Sequence, residues 1–421
     1  MAAKRLVLGR YSLGIGDRFC MEGRAQLRAL KKAMDKGVEI HPVWNKSNRE
    51  HTIIGTEPFS TRQEADTAVK EEQWKYPYFV DADHIGLKTV DRFLDACDFY
   101  TLDVADYIGR PAAAEEAENF ITELTPVLGT LKHPALGQQI NLTLQDLRAF
   151  ASKYLFGLQE AARIYEYLKM KKGTGTFITE VSVDEATQPQ SPVELYLFLA
   201  GLAKKGVAVQ TIAPKFSGAF LKGIDYVGDV AAFSQEFKND IAVIDIAKKA
   251  FGLQEELKLS VHSGSDKFSL YPHIHAHLVK YNAGVHLKTA GTTWLEELIG
   301  LAASANGLAL AKKIYMQAFE RIEELWKPYE TVVDINISNL PAPSTVAGFS
   351  SAEYIAALKH DRTNPKMNRD FRQLIHISFR VAAEMGEEYM TGLHASRAAI
   401  ERNVTENLYL RHIQPLFIGG T

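Results

Sequence analysis

The chain has 421 residues, of which 46% are hydrophobic, 24% charged and 10% aromatic, which is typical of a folded globular protein. There are 48 basic and 51 acidic residues, and this balance argues against a nucleic-acid-binding protein, which normally carries a basic excess. The two cysteines, Cys20 and Cys97, exclude a disulfide scaffold and a thiolate zinc cluster. Since no segment has the roughly 20 consecutive apolar residues of a membrane span, we expect a cytoplasmic protein that handles small molecules.

Eight units, each a short β-strand followed by polar or helical sequence, run through the chain. The strand segments are rich in β-branched and aromatic residues, and the stretches between them mostly have apolar residues at helical spacing. The predicted strands lie in RLVLGRYSLGIGDRF, VEIHPVWNKS, YPYFVDADHI, DFYTLDVADYIG, GTGTFITEVSVDEA, VAVQTIAPKF, LKLSVHSGSDKF and AGVHLKTAGTTW. Because no GxGxxG turn follows the first strand, the series predicts a (β/α)8 TIM-type barrel rather than a doubly wound sheet.

Two further segments extend the minimal barrel. Residues 111–172 have helical character throughout and interrupt the chain between the fourth and fifth units. Residues 330–421 follow the eighth helix and are predicted to form more helix around the loop NISNLPAPSTVAGFSSAEY. No linker is long enough to separate independent domains, so residues 1–421 are predicted to form one barrel domain with a helical insertion and a C-terminal helical extension.

Ionisable side chains stand at the carboxyl ends of six consecutive predicted strands, the end of a barrel that carries functional residues. The third to eighth strands contribute Asp81, Asp83, Asp103, Glu180, Lys215, His262, Asp266, His286 and Lys288. The two-residue period of a strand places Asp81 with Asp83 on one face, and His286 with Lys288 on one face. This pattern predicts a polar cavity at the mouth of the barrel; the alternative is a set of solvated charges at strand ends.

Carboxylates and imidazoles that converge at one point favour a divalent transition metal such as Zn, Mn, Ni or Co. The third, seventh and eighth strands open on a common mouth, so we predict that Asp81, or its neighbour Asp83, binds the metal together with His262 and His286. A second histidine series, in YPHIHAHLV, lies on a predicted helix. We interpret those histidines as core or surface residues, because residues two apart on a helix do not share a face.

Cations and a glycine-containing turn are the candidates for substrate binding. Lys215 and Lys288 end inward-facing strands, and we favour anion binding over a Schiff base, which requires a depressed pKa. Asp17 and Arg18, in the turn GIGDRF, offer a carboxylate and a guanidinium fork, although the two could instead pair within a tight turn. Asp266 is a further candidate for a substrate contact after the seventh strand.

Seven segments together resemble the tagaturonate/fructuronate epimerase family, whose members are also used as tagatose 4-epimerases. They are GIGDRF, VDADHI, TLDVADYIG, TEVSVDEATQPQSP, APKFSGAFLKGIDYVGD, LSVHSGSDKFSLYP and HLKTAGTTW. The resemblance continues into NLYLRHIQPLF near the C-terminus. It implies a divalent-metal-dependent barrel that interconverts D-tagaturonate and D-fructuronate, with a small sugar-acid substrate as its partner and no nucleic acid or membrane; a homo-oligomer is compatible with it.

The implied reaction inverts a carbon β to a ketone, which removal of an α-proton cannot do. No dinucleotide fingerprint supports a transient oxidation, so we predict retro-aldol cleavage and re-addition to the other face of the aldehyde. The metal would stabilise the enediolate as a Lewis acid, and Asp83, Glu180 and Asp103 are the predicted catalytic residues. A class II-type aldolase, a Schiff-base aldolase using Lys215 or Lys288, and a non-catalytic sugar-acid-binding scaffold remain as alternatives.

Overall fold

A computed structural model describes residues 5–419 of the chain, in which eight parallel strands close into a barrel. The strands are, in chain order, β1 (Tyr11–Ile15), β2 (Ile40–Ser47), β3 (Phe79–Ile85), β4 (Phe99–Asp103), β5 (Gly129–Leu131), β6 (Ile140–Leu142), β7 (Ile178–Ser182), β8 (Thr211–Ala213), β9 (Lys258–His262) and β10 (Val285–Lys288). Strands β5 and β6 form a separate pair, and each of the others pairs with its neighbours in chain order until β10 meets β1. The predicted (β/α)8 barrel and its eight strands are confirmed.

Helices surround the barrel and continue beyond it. They are α1 (Gly23–Met34), α2 (Asn48–Ile54), α3 (Pro58–Glu71), α4 (Ala114–Leu124), α5 (Leu144–Lys172), α6 (Pro192–Lys204), α7 (Val230–Phe251), α8 (Tyr271–Lys280), α9 (Gly291–Ala302), α10 (Gly307–Glu320), α11 (Ile322–Trp326), α12 (Pro343–Ala347), α13 (Ser351–Leu358), α14 (Arg369–Ile377), α15 (Phe379–Met385) and α16 (Glu387–Glu406), with a π-helical segment over Asn407–Ile418. Among residues 5–419, none of these helices has both the length and the apolarity that crossing a membrane requires.

Local sequence explains where several of these helices begin. Ser191 accepts a hydrogen bond from the backbone of Glu194 at the start of α6, while the Glu194 side chain accepts one from the backbone of Ser191, and Pro192 occupies the first turn. Such a capping box satisfies two backbone donors that a helix start otherwise leaves free. The same arrangement begins α2, α5 and α13. The stretch KTVDRFLDAC, which follows β3, in contrast forms only the short 3-10 turn Val90–Phe93.

The insertion at 111–172 contains a β-hairpin as well as helices, so the expectation of a wholly helical segment is wrong. Strands β5 and β6 pair antiparallel between α4 and α5, with Gly129 opposite Leu142. Pro134 and Gly137 lie in the connection between the two strands, and both residue types interrupt a helix. The rest of the insertion is helical, chiefly as the 29-residue α5.

The C-terminal extension is helical, as predicted, although its last two residues lie outside the described range. Its buried side chains form a second apolar cluster with α9 and α10, which includes Trp294, Tyr315 and Phe371. The indole of Trp294 donates a hydrogen bond to the carbonyl of Ile375 at 2.6 Å, which joins α9 to α14. The extension therefore packs onto the helices that follow the last barrel strand, beside the mouth.

The barrel interior changes from apolar to polar along its axis. At the amino end, Leu8, Val43, Phe79, Phe99 and Ile178 form a small apolar cluster. Two residues further along the strands, the positions on the same faces are polar, because side chains on one face recur with period two. These polar positions include Asp81 after Phe79, Thr101 after Phe99 and Glu180 after Ile178, all buried. Such buried charges require partners, and the interior supplies them.

Candidate active site

Lys288 is the centre of a buried ion-pair network inside the barrel. Its ammonium lies 2.8 Å from Asp81 Oδ2, 2.7 Å from Asp83 Oδ1 and 3.0 Å from Glu180 Oε1. It also donates a hydrogen bond to Thr101 Oγ1 at 2.5 Å. Three carboxylates from β3 and β7 thus share one lysine from β10, which leaves this layer of the barrel with excess negative charge.

The network sets the ionisation of its members. Burial opposes the charged form of Lys288, but Asp81, Asp83 and Glu180 outweigh it and raise its pKa well above the ordinary value. Burial likewise opposes ionisation of Glu180, whose pKa Lys288 and His262 nevertheless bring well below the ordinary range. A Schiff-base lysine needs a depressed pKa, so the surroundings of Lys288 do not favour that alternative.

A β-bulge in β3 turns His84 toward the mouth. The pairing of β3 with β4 shifts register between Ala82 and Ile85, and His84 has a φ of 52°, in the left-handed region. Strict alternation would place His84 on the opposite face from Asp83, whereas here His84 Nδ1 lies 3.0 Å from Asp83 Oδ1. Bulges often re-aim a side chain beside an active site, and this one adds an imidazole that strand parity does not predict.

His84, Asp184 and His262 form a group that could hold a metal ion. One ligand atom from each lies within 4.8 Å of the others, and all three side chains are half-buried. They come from the end of β3, the residues after β7 and the end of β9. Two imidazoles and a carboxylate that leave room for further ligands are typical of catalytic zinc and other divalent transition-metal sites.

In each imidazole, a neighbouring carboxylate engages one nitrogen and leaves the other nitrogen facing Asp184. Glu180 Oε1 lies 2.7 Å from His262 Nε2, and Asp83 Oδ1 lies near His84 Nδ1. The other two nitrogens, His84 Nε2 and His262 Nδ1, are buried and make no well-aligned hydrogen bond within residues 5–419. They lie 3.6 and 3.0 Å from the two oxygens of Asp184. Metal-binding histidines are usually oriented by a carboxylate in this way, so the residues present fit a divalent cation.

The charges of the site also fit a cation. Burial opposes protonation of His262, but Asp184 and Glu180 outweigh it and raise its pKa to about 9. Asp83 and Asp184 similarly outweigh burial at His84 and raise its pKa well above the ordinary value. The carboxylates thus favour positive charge between the two imidazoles, and a divalent cation would supply it in place of protons.

The structure does not bring two of the predicted metal ligands into this group. Asp81 lies deeper in the barrel, where it accepts hydrogen bonds from Asn45 Nδ2 at 2.6 Å and from Lys288 at 2.8 Å. His286 is buried beneath Lys288, with its Nδ1 2.9 Å from Ser12 Oγ. Of the three predicted ligands, only His262 lies in the group, where its partners are His84 and Asp184.

Asp103 stands at the end of β4 with fewer partners than the other carboxylates. Its side chain is half-buried and accepts one hydrogen bond, from the backbone N–H of Ala105 at 3.0 Å. Burial raises its pKa to about 6. A carboxyl with a pKa near the working pH suits general acid–base chemistry, and the catalytic role of Asp103 stays a prediction.

The predicted substrate-binding residues of the first turn have different surroundings. The carboxylate of Asp17 accepts hydrogen bonds from the backbone of Phe19, Met21 and Glu22, so it shapes the turn before α1. Arg18 is 5% exposed, and its Nη1 lies 2.6 Å from Glu50 Oε1. The Nε of Arg18 is buried and donates no hydrogen bond to the described residues, which leaves a donor at the mouth.

Lys215 and Asp266, the two remaining residues predicted to contact the substrate, differ in how many side chains they bind. Lys215 follows β8, is half-buried and makes no ion pair with the described residues. Asp266 is fully buried, and its two oxygens are shared among four side chains. These four are Thr292 at 2.8 Å, His360 at 3.0 Å, Arg372 at 3.0 Å and His412 at 3.1 Å. Asp266 therefore joins the loop after β9 to the extension, and its oxygens have no free position for a substrate.

Comparisons with known proteins agree on one family. A family model described as tagaturonate epimerase matches residues 2–407. The chain is 31% identical over 384 residues to a tagaturonate/fructuronate epimerase from Thermotoga maritima, covering 88% of this chain and 73% of the relative. A glycerol-complexed crystal structure of fructuronate-tagaturonate epimerase from Cohnella laeviribosi has a TM-score of 0.79 at 26% identity, covering 98% of this chain and 82% of that one. The native crystal structure of the same enzyme has a TM-score of 0.77.

Proposed function

Because this chain belongs to the tagaturonate epimerase family, we propose that it interconverts D-tagaturonate and D-fructuronate with a divalent cation held by His84, Asp184 and His262. The observation that carries the proposal is the convergence of ligand atoms from two imidazoles and Asp184, all within 4.8 Å of one another. Asp83 and Glu180 hold the far side of each ring, so the facing nitrogens and the Asp184 oxygens converge on one point where a cation would bind.

The donor set narrows the choice of metal. Imidazole nitrogens together with a single carboxylate favour Zn, Mn, Ni or Co over Mg or Ca, which prefer sites made only of oxygens. When bound, such a cation would supply Lewis-acid stabilisation of negative charge on the substrate oxygens. Asp83 and Glu180 would orient the two imidazoles, and Lys288 would balance part of their charge.

The inversion is proposed to proceed by retro-aldol cleavage. The proton of the β-hydroxyl passes to a base, the bond between the α and β carbons breaks, and its electrons remain on the α carbon as the enediolate. The aldehyde then turns, and the reverse steps form the bond on its other face. Asp103 is our choice for the proton transfer, because it lies at the mouth and makes no ion pair within the described residues.

Two extensions of this function rest on the same site. D-Tagatose and D-fructose differ from the uronates only at the carbon that bears the carboxylate, so C4 epimerisation of these neutral ketoses is a proposed side activity. The main alternative is a class II-type aldolase, which would use the same cation and enediolate but would release the aldehyde. We place the enzyme in the cytoplasm, because Cys20 and Cys97 are both free thiols.

The mechanism can be tested with isotopes. D-Tagaturonate deuterated at the inverted carbon should give D-fructuronate that retains the label, because cleavage leaves this hydrogen on the aldehyde carbon. Turnover of unlabelled substrate in D2O should leave the inverted position free of deuterium by NMR. Deuterium at that position would refute retro-aldol cleavage in favour of proton exchange. Nicotinamide absorbance in the denatured supernatant would instead indicate transient oxidation, and accumulation of free aldehyde would indicate an aldolase.

A further inference from the structure

A group of cationic side chains lies beside the candidate metal centre and is not used by it. The guanidinium of Arg18 lies 4.8 Å from the centre of the Phe379 ring. Arg49 and Lys222 lie 4.9 and 5.8 Å from the centre of the Tyr329 ring. Arg18 follows β1, Arg49 follows β2 and Lys222 follows β8, so all three extend from the carboxyl end of the barrel. The two rings belong to the C-terminal extension, which lies beside the mouth.

These cations are only partly neutralised. Glu50 pairs with Arg18 Nη1 at 2.6 Å, while Lys222 makes no ion pair in the described part of the chain. Burial, with help from Arg49 and Arg18, lowers the pKa of Lys222. His376, on α14, is 1% exposed and has an Nε2 without a hydrogen-bond partner among residues 5–419. Its pKa is held well below the ordinary value by burial and by Lys222 and Arg18.

The cationic group borders the metal-binding residues. Glu50, the partner of Arg18, accepts a hydrogen bond from the backbone N–H of Ser47 at 3.0 Å, and Ser47 pairs with Asp83 across β2 and β3. Lys222 is joined to Arg18 through the two rings, because the centres of Tyr329 and Phe379 lie 6.5 Å apart. An anionic group bound between Arg18 and Lys222 would therefore be a neighbour of a substrate at His84, Asp184 and His262.

We propose that Arg18 and Lys222 bind the substrate's carboxylate, and that they hold the carboxylate-bearing aldehyde between cleavage and re-addition. This inference rests on the proposed function, because in a keto-uronate the carboxylate lies on the fragment that becomes the aldehyde. The enediolate fragment keeps the ketone oxygen and would remain at the metal side. A carboxylate fixed at its far end lets the aldehyde rotate without leaving, which is what separates an epimerase from an aldolase.

The donors of Arg18 and Lys222 that have no protein partner indicate that these side chains bind an anion rather than stabilise the fold. Arg18 keeps its Nε without a hydrogen-bond partner beside a ring, and the half-buried Lys222 makes no ion pair with any carboxylate of residues 5–419. Guanidinium and ammonium groups bind carboxylates strongly where water is excluded. Lys222 is the better residue to change, because loss of Arg18 would also leave Glu50 buried without its partner.

The test uses three variants of the full-length protein. Lys222→Met removes the charge and keeps the length of the side chain, and Lys222→Arg restores a cation. Lys280→Met is the matched control, because Lys280 also lies over a tyrosine ring, 5.4 Å from the centre of Tyr281, but on α8 at the opposite end of the barrel. Thermal melting of each protein establishes folding. Binding of D-fructuronate and D-fructose is measured by calorimetry, and turnover and release of free aldehyde are measured with D-tagaturonate.

We expect Lys222→Met to weaken D-fructuronate binding by about tenfold or more, the effect of one lost charge contact, while D-fructose binding stays the same. Free aldehyde should be released at a larger fraction of turnovers, and Lys222→Arg should recover most of both properties. Equal effects on the two ketoses, or none in Lys222→Met, would overturn the subsite. If the wild-type protein binds D-fructuronate more tightly than Lys222→Met does but does not epimerise it, the proposed function alone is refuted. If the wild-type protein does not bind D-fructuronate, the subsite is refuted.

Discussion

The two imidazoles of the candidate metal centre present different nitrogens, Nε2 from His84 and Nδ1 from His262. The reason is that Asp83 engages the Nδ1 of His84, whereas Glu180 engages the Nε2 of His262. We expect His84→Ala, Asp184→Asn and His262→Ala each to lose most of the bound metal, since a three-ligand site retains little affinity with two ligands. Elemental analysis of the dialysed proteins measures the metal content. Asp83→Asn should weaken metal binding less, by about 10–100-fold in affinity, because it only orients His84.

An exposed histidine provides the control for the ligand variants. His273 lies on α8 and is exposed, so His273→Ala should keep the full metal content. A wild-type metal content in both His84→Ala and His262→Ala would place the metal elsewhere. Loss of metal in Asp81→Asn and His286→Ala, with His84→Ala unaffected, would instead support the ligand set predicted from strand parity.

The buried position of Lys288 predicts a structural effect that a substrate-binding lysine would not show. Lys288→Met leaves Asp81, Asp83 and Glu180 in the barrel without their shared cation. Removing one partner of a buried ion pair costs about 3–5 kcal/mol, so we expect the free energy of unfolding to fall by about that amount, as measured by urea denaturation at pH 7. Unchanged stability together with a raised KM for the uronate would show that Lys288 binds substrate instead.

At the scale of single residues, strand parity predicts part of the site and misses the rest. Parity places Asp81 with Asp83 and His286 with Lys288, and the Lys288 contacts with both aspartates agree with it. Parity fails for His84, because the bulge in β3 adds a residue that no local sequence signal marks. The partners of Asp266 lie 26 to 146 residues away along the chain, so their meeting depends on packing that one sequence does not reveal.

At the scale of elements, the start of α1 contains a buried carboxyl group. Glu22, at the start of α1, is 2% exposed and has an unpaired Oε2 among residues 5–419. Burial raises its pKa to about 8, with further increases from Asp17 and Glu401, against the opposing effects of Arg397 and Arg24. The folded protein thus keeps Glu22 protonated at a pH at which the unfolded chain, with its ordinary value near 4.5, releases the proton.

This difference predicts that stability falls as the pH rises. A raised carboxyl pKa contributes stability that is complete below the unfolded value and is lost between about pH 4.5 and 8, at up to about 1.4 kcal/mol per pH unit. Urea denaturation between pH 6 and pH 8 should therefore show a smaller decline in Glu22→Gln than in the wild type. The exposed Glu118, changed to Gln, is the control and should leave the slope unchanged. Equal slopes in all three proteins would mean that Glu22 is ionised in the fold.

The elements themselves follow from sequence more closely than the site does. Ser191, Pro192 and Glu194 indicate the start of α6, and the capping box is present there. The hairpin of β5 and β6 is missed because each of its strands has only three residues, too few for a two-residue period to be recognised. The stretch after β3 forms only a 3-10 turn, and sequence alone does not separate the two because a short amphipathic stretch fits both a helix and a 3-10 turn.

At the scale of the whole molecule, the barrel and the extension are joined through Asp266, which binds Arg372 and His412 from the extension and Thr292 from α9. The same extension supplies Phe379 beside Arg18 and His376 near the cationic group. Helical periodicity predicts that the segment exists, but its docking on the mouth depends on tertiary contacts. The extension is therefore part of the proposed substrate site as well as of the fold.

The rate of conversion of D-tagaturonate to D-fructuronate, measured before and after removal of bound metal, tests the central claim most directly. We expect dialysis against a chelator to abolish the conversion, and addition of Zn, Mn, Ni or Co to restore it in the wild type but not in His262→Ala. The proposed Lewis-acid role requires this result. An undiminished rate in wild-type protein that elemental analysis shows to be free of metal would contradict the account.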